Sequence, residues 1–201
     1  MIKELARPPV APVIKKELAN ISISEGESVA ILEAQVTGYP KPKINWYKGG
    51  EILQASEHYK MLYEDEENYA LIIKNVKAED AGSYRLQASN ELGTADTSAE
   101  LTVLKKPKII QITDKIEVMS NEKLVLEAKY ESVPPPKVVW YKEGAEIKES
   151  KRVKAVIEND KCQLVINKAT SEDAGIYKVM ICNDLGKEER NVQVTVNCKC
   201  L

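Results

Sequence analysis

Apolar residues recur at every second position over much of this chain. Two such series lie about 94 positions apart: Ala30, Leu32, Ala34 and Val36, then Leu124, Leu126, Ala128 and Tyr130. A period of two places successive side chains on opposite faces of a β-strand. No window sustains the period of a helix, and Pro, Gly and Asn turns recur roughly every 8–12 residues. The pattern therefore predicts an all-β fold of sandwich type with little helix.

The chain also contains an internal repeat. Gly-Tyr-Pro-Lys-Pro-Lys-Ile-Asn-Trp-Tyr-Lys returns as Val-Pro-Pro-Pro-Lys-Val-Val-Trp-Tyr-Lys, and Glu-Asp-Ala-Gly-Ser-Tyr returns as Glu-Asp-Ala-Gly-Ile-Tyr. The matching blocks are 38–48 with 133–142, 79–84 with 172–177, and 90–93 with 183–186. Several blocks keep one order and nearly one offset, so the sequence predicts two copies of one module.

Domain boundaries follow from the ends of the repeat. We expect a first module at 11–104, a second at 108–197, a short linker at 105–107 and a tail at 198–201, with 1–10 as a linker or the end of an upstream segment. Proline fixes its own φ and biases its predecessor toward extended structure. A junction of three residues leaves little slack, so the sequence predicts modules joined end to end with restricted bending.

Charge limits the classes of partner. The chain has 29 basic and 31 acidic residues, a net charge of −2, which supplies no general attraction for nucleic acid or anionic membrane. No apolar run approaches the ~18–20 residues of a membrane helix. Residues 11–104 carry nine basic and fifteen acidic side chains, whereas 106–197 carry sixteen and fifteen. The acidic run 64–67 is interpreted as a solvated D–E loop. A partner contact is the alternative, whereas a calcium site is disfavoured because the run lacks the spaced ligands and glycine of a calcium loop.

Few residues could carry chemistry. His58 is the one histidine, which excludes a histidine pair, and its polar surroundings predict a solvated side chain. Cys198 and Cys200 lack the further ligands of a tetrahedral zinc site, and Cys162 is predicted to lie in the core. No nucleophile–base pair, inward carboxylate pair or phosphate-binding glycine loop is recognisable. The sequence thus predicts no enzyme and no catalytic, cofactor or metal-binding residues.

With these motifs in place, each copy resembles an immunoglobulin domain of the intermediate, or I-set, type. The tryptophans match the buried residue of strand C, the Asp-Ala-Gly-x-Tyr segments match the turn and tyrosine corner before strand F, and the Asn-x-Leu-Gly segments match the F–G hairpin. The resemblance implies a structural core at Trp46, Trp140, Tyr84, Tyr177, Ala34, Leu86, Ala128 and Val179. It implies turn residues at Asp80, Gly82, Asp173, Gly175, Gly93 and Gly186.

One departure from the family pattern is informative. The two cysteines that usually join the sheets fall on Ala34 and Leu86 in the first copy, and on Ala128 and Val179 in the second. We therefore expect no disulfide within either domain, so that burial alone holds each core. Loss of the bond in both copies points to a reducing compartment.

Tandem I-set domains without disulfides resemble pieces of the titin-like giant muscle proteins: titin, twitchin, projectin and kettin. The resemblance implies a monomeric structural fragment, cytoplasmic and in the sarcomere, that acts as spacer, elastic element and docking surface for sarcomeric or cytoskeletal proteins. An actin-associated scaffold of the palladin or myotilin kind is an alternative, although the acidic first module argues against it. A cell-surface adhesion ectodomain is a second alternative, but it needs a signal peptide and core disulfides.

Overall fold

The first half of the chain is a β-sandwich in which all described strand pairs but one are antiparallel. The computed structural model describes residues 7–65 and 67–198, and it divides into two compact units, Met1–Leu104 and Lys105–Leu201. The strands of the first unit are β1 (Val10–Lys16), β2 (Ile21–Ser24), β3 (Val29–Tyr39), β4 (Lys43–Lys48), β5 (Glu51–Ile52), β6 (Tyr59–Glu64), β7 (Asn68–Lys74), β8 (Gly82–Asn90) and the beginning of β9 (Gly93–Ile112). One sheet has the order β1-β3-β7-β6. In the other, β8 lies between β9 and β4, while β2 pairs in parallel with β9 and β5 covers the end of β4.

The second half repeats this plan. Its strands are the end of β9, then β10 (Lys115–Met119), β11 (Leu124–Val133), β12 (Lys137–Lys142), β13 (Ala145–Glu146), β14 (Val153–Ile157), β15 (Lys161–Ile166), β16 (Gly175–Asn183) and β17 (Gly186–Asn197). Within this unit, β9 is followed by β11, β15 and β14 in one sheet, and the other sheet has the order β10-β17-β16-β12-β13. Strand β9 pairs with β8 and β2 up to Leu104 and with β11 from Lys105 onward.

The alternating pattern of the sequence explains which side of each strand is buried. In β3 the apolar series from Ala30 to Val36 is at most 2% exposed, whereas Ile31 and Glu33 between them face outward. The equivalent series in β11 is buried in the same way. Among the described residues, helical structure is confined to two short 3₁₀ turns, Ala78–Asp80 and Ser171–Asp173. The prediction of two β-sandwiches is therefore confirmed.

Candidate functional site

A tyrosine corner closes each sandwich where the chain enters the strand after the 3₁₀ turn. The hydroxyl of Tyr84 donates a hydrogen bond to the carbonyl oxygen of Asp80 at 2.8 Å, and that of Tyr177 donates to Asp173 at 2.8 Å. Both rings are at most 1% exposed. Burial raises the pKa of both hydroxyls, to about 12 for Tyr177, so that each remains a donor at neutral pH.

Glycine is required between the aspartate and the tyrosine. The φ angle is +133° at Gly82 and +135° at Gly175, values that residues with a Cβ rarely adopt. The predicted hairpin glycines, Gly93 and Gly186, begin β9 and β17 at the ends of the two hairpins. The repeated sequence blocks thus coincide with repeated backbone turns.

The carboxylate of Asp80 is buried and satisfied from three directions. Its Oδ2 accepts a hydrogen bond from the backbone N–H of Lys77 at 2.8 Å, while its Oδ1 lies 2.8 Å from His58 Nε2 and 3.1 Å from the hydroxyl of Tyr59. Burial by itself raises the pKa of this carboxyl, but the hydrogen bonds from His58, Lys77 and Tyr59 outweigh burial and lower it. Asp80 therefore ties the beginning of β6 to the 3₁₀ turn.

Asp173 makes the equivalent tie in the second sandwich with a different partner. Arg152 donates Nη1–H to Oδ2 at 2.6 Å and Nη2–H to Oδ1 at 2.9 Å, and the Thr170 backbone N–H donates to Oδ2 at 2.8 Å. Burial raises the pKa of Asp173, and the bonds from Arg152 and Thr170 reverse this and lower it. The guanidinium of Arg152 thus stands where the first sandwich has the imidazole of His58.

The prediction of a solvated His58 is wrong. Its ring contacts the 1%-exposed Asp80, and it also packs edge-on against Tyr59 with ring centroids 4.6 Å apart. The sequence signal lay in the repeat, since His58 is displaced by 94 positions from Arg152, the partner of the equivalent aspartate. A polar neighbourhood in sequence did not reveal this contact with the 3₁₀ turn.

The residues that the family pattern places in the core are buried. Trp46 pairs across the sheet with Leu86, and Trp140 pairs with Val179. The exposed fractions are 2% for Trp46, 0% for Leu86, 3% for Trp140, 0% for Val179, 2% for Ala34 and 0% for Ala128. Apolar side chains therefore fill the positions where the family usually carries the two cysteines.

The described cysteines are free thiols. Cys162 is fully buried opposite Ala128, Cys182 is half-buried, and Cys198 is exposed, whereas Cys200 lies outside the described residues. Burial raises the pKa of the Cys162 thiol to about 11, which makes it a poor nucleophile at neutral pH.

Sequence reasoning missed a stack of charged and aromatic side chains that both sandwiches carry. A cation lies over a tyrosine ring and pairs with an acid on the next strand. The members are Tyr47, Arg85 and Asp96 in the first unit and Tyr141, Lys178 and Glu189 in the second. The cation-to-centroid distances are 4.2 Å and 4.8 Å. The residues lie far apart along the chain, so only their common offset in the repeat signalled them.

Neither a metal-binding cluster nor a membrane-spanning helix is found in the described part of the chain. Over residues 7–65 and 67–198, no cluster of three or more His, Cys, Asp or Glu side chains could hold a metal ion. No helix in the same ranges is long and apolar enough to cross a bilayer.

In the acidic run 64–67, Glu64 and Asp65 are exposed, and Glu67 accepts a hydrogen bond from Gln35. Position 66 lies outside the described residues.

A family model for the immunoglobulin I-set domain matches the chain twice, over residues 12–103 and 107–196. These matches cover most of the chain and correspond to the two sandwiches.

Curated relatives include very long and short chains. The Muscle M-line assembly protein unc-89 of Caenorhabditis elegans is 34% identical over 191 residues, which are 92% of this chain and 2% of that protein. The CAVP-target protein of Branchiostoma lanceolatum is 32% identical over 196 residues, which are 98% of this chain and 79% of that protein. This chain thus spans a small fraction of the first relative and most of the second.

A solved structure of two consecutive titin domains is also similar. The titin Ig tandem A164–A165 is 28% identical, with a TM-score of 0.72, and the match covers 96% of this chain and all of that one.

Proposed function

The chain belongs to the immunoglobulin I-set family as a tandem of two such domains, and from this premise we propose that it is a non-catalytic mechanical element of the sarcomere. In this role it is a spacer that transmits force along the chain and a surface on which other sarcomeric or cytoskeletal proteins dock. The likeness to a muscle M-line assembly protein and to a titin tandem supports the assignment to muscle. Action as part of a giant titin-like chain, in the cytoplasm, belongs to the same proposal.

The observation that carries the mechanical role is a parallel strand pair near the ends of each sandwich. Strand β2 runs parallel to β9 from the pair Ile21 and Leu101 to the pair Ser24 and Leu104. Strand β10 runs parallel to β17 in the same way. When parallel strands are pulled from opposite termini, the hydrogen bonds between them are loaded together in shear. Each sandwich therefore resists extension until several bonds fail at once.

The register identifies which residues make these bonds. The backbone N–H of Glu25 donates to the Leu104 carbonyl oxygen at 2.9 Å. Because the groups of a strand point alternately to its two sides, the N–H of Ile23 also points toward β9, whereas that of Ser22 points away. Proline at these two positions therefore has different consequences.

Single-molecule stretching of the full chain tests the proposal. We expect two unfolding events, one per sandwich, and a lower force for one of them in the variant Ile23→Pro than in Ile23→Ala, which removes the side chain but keeps the N–H donor. The matched variant Ser22→Pro should unfold near the wild-type force. If Ile23→Pro unfolds at the same force as Ile23→Ala, the parallel pair is not the mechanical clamp and the proposal fails.

A further inference from the structure

Strand β6 of the first sandwich has a free edge. Among the described residues it pairs only with β7, and it ends its sheet. The N–H of Lys74 donates to the His58 carbonyl oxygen at 2.9 Å, and antiparallel bonding alternates from there. Lys60, Leu62 and Glu64 therefore bond to β7, and the backbone N–H and C=O groups of Met61 and Tyr63 face away from the sheet. Such an edge is a template for an added strand.

Two grooves lie beside Leu62 of β6, one on each face of its sheet. One, of about 240 Å³, lies on the outer face of the sheet over Ala70 of β7 and is lined by Ile31, Leu62 and Ile72 together with Glu64 and the ion pair of Lys16 with Glu33. The other, of about 320 Å³, opens toward β4, and Lys41 Nζ lies at its mouth, 4.2 Å from the centroid of the Tyr63 ring. Its apolar lining residues are Ile44, Trp46, Met61, Leu62, Tyr63 and Tyr69. Tyr63 is 65% exposed and Leu62 44% exposed, and the equivalent residues of the second sandwich, Ile157 and Val156, are exposed at 54% and 39%.

The second sandwich shows what closes the outer groove. Gln163 lies opposite Val156, at the register position where Ala70 lies opposite Leu62. The Gln163 side chain donates a hydrogen bond to Glu127 and so lies across that part of the sheet. The small side chain of Ala70 leaves the corresponding space open.

Charge distinguishes the two ends of the β6 edge. Its C-terminal end carries Glu64 and Asp65, which are both exposed. The first module, residues 11–104, has nine basic and fifteen acidic residues and thus a net charge of −6. The N-terminal end of β6 carries Lys60, whose contact with Lys74 lowers the pKa of the Lys74 ammonium. At the position equivalent to Glu64, the second sandwich carries Glu158, which pairs with Lys161 at 3.2 Å. Both edge strands thus carry a glutamate at this end, and in the second sandwich a lysine neutralises it.

We propose that the edge of β6 binds an extended segment of a partner protein, which adds to the sheet as an antiparallel strand. Neighbouring side chains of a strand point to opposite faces, so successive apolar residues of the segment enter the two grooves. An antiparallel segment brings its N-terminal side to Glu64, and this side carries Lys or Arg. The occupant is therefore a short apolar run preceded by basic residues. This inference rests on the docking role proposed above and locates the docking surface at the edge of β6.

The probe is a random dodecapeptide library displayed on phage, selected against the full chain and counter-selected against the variant Tyr63→Pro. Proline is tolerated at an edge position whose N–H faces outward, so this variant keeps the bonds to β7 but blocks an added strand. The matched control is Ile157→Pro, at the equivalent edge position of β14. A second variant, Ala70→Gln, introduces the side chain that the other sandwich already carries at that position.

We expect enriched peptides with an apolar run after basic residues. Their affinity should fall at least tenfold in Tyr63→Pro, fall severalfold in Ala70→Gln and stay unchanged in Ile157→Pro. In the wild-type chain, bound peptide should shift the amide signals of Met61 to Glu64, a readout that needs no variant to fold.

Three results with the peptides would overturn the inference, and one without them. The three are enrichment of no peptide, equal binding to wild type and both groove variants, and amide shifts confined to another surface. Amide shifts confined to another surface would show that the chain docks a partner elsewhere. That result would contradict the β6 site and leave the proposed docking function standing. Concentration-dependent shifts of the β6 amides without peptide would show a second copy as the occupant and also overturn this inference.

Discussion

The guanidinium of Arg152 and the carboxylate of Asp173 form a two-point hydrogen-bonded ion pair, with N–O distances of 2.6 Å and 2.9 Å. The aspartate side chain is 8% exposed and the arginine side chain 42% exposed. Because the planar fork of arginine matches a carboxylate, this pair fixes the beginning of β14 against the 3₁₀ turn at any physiological pH. The first sandwich makes the same link through an imidazole.

Replacing the arginine by the residue found in the other copy should make the second sandwich sensitive to pH. We expect Arg152→His to lower its stability at pH 8 by about 1.5–3 kcal/mol, the usual worth of a hydrogen bond to a charged group. An introduced histidine beside Asp173 gains a partner for its charged form, so its folded pKa is raised. The stability it contributes is present below about pH 6.5 and is lost as the pH rises.

Denaturant unfolding followed by proton–nitrogen correlation spectra measures this effect, because the two sandwiches give separate signals. The signals of the first sandwich are the internal control. Equal losses of stability at pH 5.5 and pH 8 would contradict the proposed role of charge.

Both sandwiches should lose stability in acid. The folded-state pKa values of Asp80 and Asp173 are lowered, chiefly by hydrogen bonds that overcome the opposing effect of burial. The stability that each carboxylate contributes is therefore complete above the unfolded-state pKa of about 3.9 and is lost as the pH falls through the lower folded-state value.

We expect the denaturation midpoint to fall below about pH 4 in the wild type. The variant Asp173→Asn should be less stable at pH 7 and should show a weaker acid response in the second sandwich. The exposed Asp184 offers a matched control, since Asp184→Asn should keep the wild-type profile. Identical acid profiles for the two variants would show that another group governs the response.

Removing either tryptophan should unfold its own sandwich. A buried aromatic side chain truncated to alanine costs about 3–5 kcal/mol, comparable with the whole stability of a small domain. Trp46 and Trp140 belong to separate hydrophobic cores. We expect Trp46→Ala to collapse the dispersed amide signals of residues 11–104 and to leave the remainder dispersed, with the reverse for Trp140→Ala. Collapse of both sets by one substitution would show a single cooperative unit.

Sequence predicted the sandwich fold because its two strongest signals, the period of two and the repeated turns, are local. The apolar series in β3 and the glycine of the tyrosine corner are read from neighbouring residues. Pairing between strands is not local. The contact of His58 with Asp80 depends on how β6 approaches the 3₁₀ turn, and the groove beside Leu62 depends on the size of Ala70 across the strand. Only the register of the sheet brings these residues together.

Because of Cys162, a thiol reagent can detect opening of the second sandwich but not of the first. Residues 11–104 contain no cysteine, whereas Cys162 is fully buried in the second core with a raised pKa. A thiol reagent can reach Cys162 only when strand β15 is released. The rate at which the Cys162 sulfur is modified therefore reports how often the second core opens. Cys182 and Cys198 are more accessible and can react in the folded state. A reagent therefore leaves a lasting covalent record of past opening in one sandwich, and none in the other.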